Sequence, residues 1–531
     1  MGMAIKPQVH TLENGAKYWE QAFDTFQVKV YVPEAEPIAD IVNFGFKAPY
    51  LLVFAENNLS REEAVAFAKE KGFEAIAARY SSSVVFVYPT AENGWEGASE
   101  SLYADLIAES RIAQYYKDGM VLSRNRFTGE WGESFIRGAI FRAYLYGYGK
   151  SADFIAKHYM KTVQGQFLWG PGEITPAGLV LEKMSIVPAP ERADMTVVSI
   201  GNSTEVNKAL ESVCNEVLAA KKADAERDFA FVSRFKRWCG MLEAEPDMDV
   251  EGMVEEAAVV TVPTSKDNLG DDRGTAAHPI GYLAYYQKGL LEQEKVPLVL
   301  AFHGGGDSCY YITHVSGWWR VAKRNGFLLV AVENHLNSTA TEMIAFIEEL
   351  KKKYPIDEKR IYASGFSMGG CKSWDIFQEY PEVFAGLAPM SATFEVGLNV
   401  YGKPAPKAIN ETVPVPVFYA GGEITPLPEL PFQAEKCRER MEYVFRVNKV
   451  KTPYNVHFED KENWENKIFG INGDRTVVYH DDSRNADLTV HYFDSEDGVC
   501  RTAFGSISGQ GHECREHTCE TAWQFLRQFS R

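Results

Sequence analysis

The sequence predicts an α/β protein of two tandem domains, each a doubly wound and mostly parallel sheet. Three observations carry this expectation: the chain length, the alternation of apolar strand-like runs with helical patterns, and a repeat of that alternation between the two halves. At 531 residues the chain exceeds what one core supports, because single cores stop growing at about 250–300 residues. Hydrophobic residues make up 45% and charged residues 24% of the total, the balance of a globular protein.

The pattern is clearest in the second half. Strand-like runs are Ala257–Val262, Gly281–Tyr286, Pro297–Phe302, Phe327–Val332, Arg360–Ala363, Val413–Tyr419 and Leu488–Phe493. Several are apolar throughout, as strands covered on both faces of a parallel sheet must be. Between them, Thr339–Lys353 sets Met343, Ile344, Ile347 and Leu350 on one helical face, and Glu520–Phe529 does the same with Trp523, Leu526 and Phe529. Such alternation implies βαβ units.

The first half runs in the same order. Phe26–Val32 reads as an early strand, Pro49–Phe54 parallels Pro297–Phe302, and Phe67–Phe73 parallels Val321–Phe327. Pro171 follows Gly149 by 22 residues and Pro389 follows Ser367 by the same 22, so those segments align without a gap. Self-similarity of this length points to a duplicated domain. The acidic, Pro-containing stretch around Leu242–Gly252 reads as the linker, which puts the domains at 1–240 and 253–531 with a connection over 241–252.

Charge and composition exclude several function classes. A net charge of −18 with no Lys/Arg stripe repels phosphate backbones, so no nucleic-acid partner is expected. No run of about 18 apolar residues is present to span a membrane. The start, Met1–Lys6, lacks the basic and apolar regions of a signal peptide. Eight scattered cysteines read as reduced thiols, so a cytoplasmic protein is expected.

The chemistry lies in three places. Gly365-Phe366-Ser367-Met368-Gly369 has the form G-x-S-x-G between a strand and a helical run. A sharp turn there holds the serine hydroxyl at the mouth of the sheet and sets the Met368 N–H at a helix N-terminus, facing a developing oxyanion. His303-Gly304-Gly305-Gly306 follows the strand Pro297–Phe302, and its small residues let Gly304 or Gly305 supply the second oxyanion N–H. His512, in the Gly-rich loop Gly509–Glu513 before the last helix, is the expected general base. His517 is its nearby rival, and His457, His480 and His491 fall outside that loop. For the acid, Glu423 follows the run Val413–Tyr419, with Glu429 and Asp494 as alternatives.

On the strings Leu298-Val-Leu-Ala-Phe-His-Gly-Gly, Ile356–Gly370 and Gly511-His512 with its terminal aromatic helix, the last 270 or so residues resemble α/β-hydrolase esterases of the polyhydroxybutyrate-depolymerase and feruloyl-esterase type. The resemblance implies two α/β-hydrolase-like domains and a triad of Ser367, His512 and an acid acting through an acyl-enzyme. The implied substrate is a small or polymer-borne ester, phenolic, acetyl or polyester. Many relatives carry Asp in a Gly-x-Ala-Asp turn where this chain offers Glu423.

The first half lacks the same equipment. Gly149 stands at the nucleophile position, Ala55-Glu56-Asn57-Asn58 replaces HGGG, and no histidine lies between His158 and the linker. Ser151 in a slipped register would lack a base. This half is therefore expected to be non-catalytic and to pack against its neighbour. No cofactor or metal is expected, and the set His512, Cys514, His517 and Cys519 does not have the spacing of a zinc site. Trp318 and Trp319 read as core. The long connection 451–487 reads equally as a lid or a solvated insertion. The rival functions are a serine peptidase of the prolyl-oligopeptidase kind and a binding protein on a hydrolase fold.

Overall fold

Apolar side chains at every position commit a strand to burial on both faces, and the central strands of this chain have that character. Pro49–Phe54 is buried at all six positions and Val296–Phe302 at all seven. A computed structural model describes residues 8–34, 49–80, 82–103, 105–106, 113–117, 120–124, 131–133, 139–160, 176, 178–188, 193–230, 234–236, 242–244, 246–270, 272–305, 308–392, 395–399, 401–423, 434–452, 473–482 and 485–531. These divide into two units, Met1–Glu245 and Pro246–Arg531.

The first unit is built on a nine-stranded sheet of β1 (His10–Thr11), β2 (Lys17–Ala22), β3 (Phe26–Val32), β4 (Pro49–Phe54), β5 (Val84–Pro89), β6 (Ala139–Tyr148), β7 (Gly178–Glu182), β8 (Ala193–Ile200) and β9 (Cys214–Ala220). Their spatial order is β1-β2-β3-β5-β4-β6-β7-β8-β9. Pairing from β5 through β9 is parallel, while β2, β3 and β5 pair antiparallel. Helix α1 (Lys150–His158) follows β6 directly. Short strands outside this sheet include Leu242–Ala244, within the expected linker, which pairs with Arg234–Lys236.

The second unit carries ten strands: β10 (Met253–Pro263), β11 (Ala277–Gln287), β12 (Val296–Phe302), β13 (Leu328–Val332), β14 (Ile356–Phe366), β15 (Gly386–Met390), β16 (Val417–Gly422), β17 (Arg475–Asp481), β18 (Ala486–Asp494) and β19 (Cys500–Ile507). Their order is β10-β11-β13-β12-β14-β15-β16-β19-β18-β17. Over eight strands this repeats the first sheet, including the exchange of the third and fourth positions and the switch from antiparallel to parallel pairing. Its helices include α2 (Cys309–Ser316), α3 (Ala340–Lys353), α4 (Met368–Glu379) and α5 (Glu516–Leu526). Thr339 caps α3 in a reciprocal capping box with Glu342, which satisfies two orphan N–H groups. Trp318 and Trp319 are both buried.

Three strands escape the sequence pattern. Gly386–Met390 is too short to show a period. Cys500–Ile507, rather than Leu488–Phe493, feeds the His512 loop, and its mix of Arg, Thr, Gly and Ser hides a buried strand. Arg475–Asp481 is an exposed edge strand inside the long connection, and residues 453–472 of that connection lie outside the described residues. The gap-free alignment is also corrected. Pro389 lies in β15, and matching β7 to β15 leaves ten more residues between elbow and strand in the first unit. Pro171 lies outside the described residues. No helix among the described residues is long and apolar enough to cross a membrane.

Helix α4 is anchored by buried charges. Lys372 Nζ donates to the Ser338 carbonyl at 2.5 Å and to Asp375 Oδ2 at 3.1 Å, with both side chains in the interior. Burial, then the charge of Asp375, pushes the neighbouring Glu379 carboxyl up from 4.5 to about 7. The folded chain therefore holds a proton that the unfolded chain releases. Its contribution to stability is full below the unfolded value and is lost as pH rises through about 7. Glu379→Gln should match wild type in urea unfolding near pH 4.5 and exceed it near pH 8.5 by up to about 3 kcal/mol. Equal stability of the two proteins at both pH values would contradict this.

Candidate active site

In open parallel sheets, ligands bind outside the carboxyl ends of the strands, and the strand register shows which residues gather there. Phe302 of β12 pairs with Gly365 of β14, Phe366 with Met390 of β15, Met390 with Ala420 of β16, and Gly422 with Ile507 of β19. One sheet edge therefore carries His303–Gly305, Ser367, Glu423 and the loop leading to His512. These are the positions singled out in the sequence.

Ser367 sits at φ 53°, ψ −118°, a left-handed conformation that costs a residue with a Cβ about 1–3 kcal/mol. Its N–H donates to the Met390 carbonyl at 3.0 Å, and the Cys371 N–H donates to its carbonyl at 3.1 Å. The turn tightens until only glycine fits around it. A Cβ at Gly365 would run into the Gly369 carbonyl, one at Gly369 into the Phe302 carbonyl, and one at Gly370 would lie 2.6 Å from Ala392 Cβ. Met368 opens α4, so its N–H has no partner within the helix, and its side chain is exposed.

Gly304 packs against this elbow: a Cβ there would lie 3.2 Å from Phe366 Cδ1 and 3.5 Å from Ser367 Cβ. Gly304 and Gly305 are both buried, while Gly306 lies outside the described residues. His303 has one ring nitrogen 2.7 Å from Gly304 O and the other 2.8 Å from Glu333 O, so both nitrogens are engaged with main-chain carbonyls. His335 packs on it at 4.3 Å between ring centroids, and burial holds His335 well below the usual imidazole range.

The buried His512 ring lies 4.7 Å from the Phe366 ring, so Phe366 contacts both the imidazole and Gly304. The His512 loop closes on β16, because a Cβ at Gly422 would strike the carbonyls of Gln510 and Gly511. Glu423 is next in the chain. Its N–H donates to Ile507 O at 3.1 Å, and its Oε1 accepts from Ser506 Oγ at 3.1 Å.

The alternatives separate from this edge. Asp494 pairs with Cys500 at the other end of β18, roughly 20 Å along the strand from Leu488, which pairs with Ile507. Glu429 and His457 lie outside the described residues. His480 binds Asp487 on the exposed strand β17, His491 meets Thr476 Oγ1 at 2.8 Å, and His517 lies in the first turn of α5. Burial pushes the Cys371 thiol up to about 12, which leaves no thiolate to compete with the serine. Among the described residues no group of three or more His, Cys, Asp or Glu could hold a metal ion.

A second arrangement copies triad distances without the access. Ser338 Oγ is 2.7 Å from His278 Nε2, and His278 Nδ1 is 2.7 Å from Asp272 Oδ2. Ser338 is fully buried, however, in ordinary extended backbone, and its hydroxyl donates to Asn334 O at 2.7 Å. This set clamps β11 to the segment before α3. Sequence reasoning missed it, because residues 272, 278 and 338 carry no motif.

The first unit repeats the elbow backbone around a glycine. Gly149 has φ 57°, ψ −120°, and its N–H donates to Glu182 O at 2.9 Å, the counterpart of the Ser367–Met390 bond. A Cβ at Gly149 would collide with the Glu56 carboxylate. Ser151 is fully buried, donates to Phe54 O at 2.6 Å and accepts from the Tyr148 N–H at 2.9 Å.

No family model matches the chain. It is 33% identical over 135 residues to the bifunctional acetylxylan esterase/xylanase XynS20E of Neocallimastix patriciarum, covering 24% of this chain and 19% of that protein. It is 28% identical over 148 residues to the putative esterase NocK of Nocardia uniformis subsp. tsuyamanensis, covering 25% and 40%. Both relatives are esterases by name. The chain spans a fifth and two fifths of their lengths. Among solved structures, an acetyl xylan esterase from Aspergillus awamori matches at 13% identity over 51% of this chain and 99% of that one, with a TM-score of 0.33. A ferulic acid esterase matches at 14% over 36% and 86%, with a TM-score of 0.27. Scores this low carry no weight by themselves.

The glycine contacts make a stability prediction. Gly369→Ala should lower the melting temperature by at least about 3 °C, because overpacking costs about 1–3 kcal/mol. Gly511→Ala, where a Cβ meets nothing within 4 Å, should leave it unchanged. Thermal melts followed by circular dichroism check both, and equal melts for the two variants would refute the packing argument.

Proposed function

We propose that the chain is a serine carboxylic-ester hydrolase working through an acyl-enzyme. Ser367 is the nucleophile, His512 the general base and Glu423 the acid, and the N–H groups of Met368 and of Gly304 or Gly305 hold the oxyanion. The observation that carries the reading is the strained Ser367, at φ 53°, packed beside Gly304 and next in the chain to Phe366, whose ring lies against His512.

Ser367 Oγ attacks the ester carbonyl carbon while His512 takes its proton, and the carbonyl oxygen becomes an oxyanion held by preorganised N–H donors. Collapse of this intermediate breaks the bond to the alcohol, which leaves with the proton from His512. Water, deprotonated by His512, then releases the acid and restores the serine. Glu423 holds the imidazole in the productive tautomer and stabilises the imidazolium.

The name of one relative, an acetylxylan esterase/xylanase, puts acetyl esters of polysaccharides first among candidate substrates, ahead of phenolic and polyester substrates. The first unit is read as a hydrolase-like domain without turnover. Its elbow lacks a hydroxyl at Gly149, and the Ser151 hydroxyl is spent on Phe54.

Ser367→Ala should cost at least about 10³-fold in kcat/KM on the best member of an acetyl, butyryl, feruloyl and polyester panel. His512→Ala should match it, with the double variant scarcely worse. Glu423→Gln should lower kcat through a misoriented imidazole. A fluorophosphonate applied to the full chain should modify the peptide holding Ser367 and not those holding Ser151 or Ser338. Modification at either of the latter, or turnover surviving in Ser367→Ala, would defeat the assignment.

A further inference from the structure

The loop that carries Gly304 and Gly305 begins at His303, at the end of β12, and ends at Cys309, the first residue of α2. One residue holds both ends. Glu333, directly after β13, accepts from His303 Nε2 at its main-chain carbonyl (2.8 Å) and from the Cys309 N–H at carboxylate Oε2 (2.8 Å). It is itself tied to the sheet, because its N–H donates to Gly281 O at 2.8 Å. β13 lies beside β12, with Val332 paired to Phe302, so Glu333 stands at the same sheet edge as the loop it grips.

The carboxylate is costly where it sits. Glu333 is 4% exposed, and its Oε1 has no hydrogen-bond partner among the described residues. A buried carboxylate with one oxygen unpartnered among the described residues is a poor way to gain stability. It suits one task, which is to meet the orphan N–H at the positive end of α2 and so fix where the helix, and the loop before it, begins. The Cys309 thiol lies beside the same carboxylate: burial, then the Glu333 charge and a side-chain hydrogen bond to Glu333, push the thiol well above its ordinary value.

We propose that Glu333 is the positioning residue of the oxyanion loop, its carboxylate holding the Cys309 end as its carbonyl holds the His303 end, so that the Gly304 and Gly305 N–H groups stay aimed beside Ser367. The inference rests on the hydrolase reading above and adds a residue to that site. A loop released at Cys309 still admits the ester but stabilises its oxyanion poorly. The loss therefore falls on kcat, since one oxyanion donor is worth about 10²–10³ in rate.

The test uses the full chain with p-nitrophenyl acetate and a fluorophosphonate. Glu333→Leu removes the acceptor at similar volume. It should lower kcat about 10²-fold, slow labelling of Ser367 in proportion, leave KM within about 3-fold, and keep the melting temperature within a few degrees. Glu333→Gln keeps an oxygen for the Cys309 N–H and should stay within about 5-fold of wild type in kcat. Cys309→Pro deletes the donor at a helix position that tolerates proline. It should reproduce the Glu333→Leu loss, with the double variant no worse, while Cys309→Ala stays active. Wild-type kcat in Glu333→Leu, or equal damage from Glu333→Gln, would overturn the proposal. So would an active Cys309→Pro. A wild type that neither turns over the ester nor labels at Ser367 would instead sink the hydrolase reading, and this inference with it.

Discussion

The hydrogen bond from the Ser367 N–H to the Met390 carbonyl is the contact on which the second unit's site depends. It ties a left-handed residue to the neighbouring strand and makes β14 turn abruptly into α4. The strain of φ 53° is offset by what the turn brings together: glycines at 365, 369 and 370 let strand, helix and the Phe302 carbonyl approach closer than any side chain would permit. Ser391 follows the next strand with φ 47°, and its N–H donates to Ala420 O at 2.8 Å, so the pattern is carried one strand further along the edge.

The first unit has the same backbone device built around a glycine. Gly149 and Lys183, at φ 57° and 53°, repeat the two left-handed positions, and Lys183 donates to Ile200 O at 2.9 Å. The turn survives with a glycine at its centre and a carboxylate filling the space where a side chain would go. Topology and hydrogen bonding keep the elbow whether or not a nucleophile stands in it. An elbow alone is therefore weak grounds for activity, and the surrounding groups must decide.

Distances alone mislead as well. The Ser338–His278–Asp272 set has hydrogen-bond lengths suited to a triad, yet its serine is sealed in the core, and its hydroxyl and carbonyl are spent on Asn334 and Lys372. What separates Ser367 from Ser338 is the backbone. One lies on a sharp turn at an open sheet edge, with a helix N-terminus behind it. The other lies in extended chain under α3.

By itself the sequence determined the class of architecture and the local devices. Continuous apolar runs such as Val296–Phe302 can only be strands buried on both faces, and a serine between glycines after such a strand has one compact way to turn into a helix. Tertiary structure alone decided which distant residues share an edge. Strand register set Asp494 apart from the edge that carries Glu423 and placed the unforeseen strand Cys500–Ile507 beneath the His512 loop. It also brought Glu333 to both His303 and Cys309, at the two ends of the connection between β12 and α2. None of these has a local pattern, because pairing between strands is settled by packing among residues up to hundreds of positions apart, whereas a turn or a buried strand is settled within about ten.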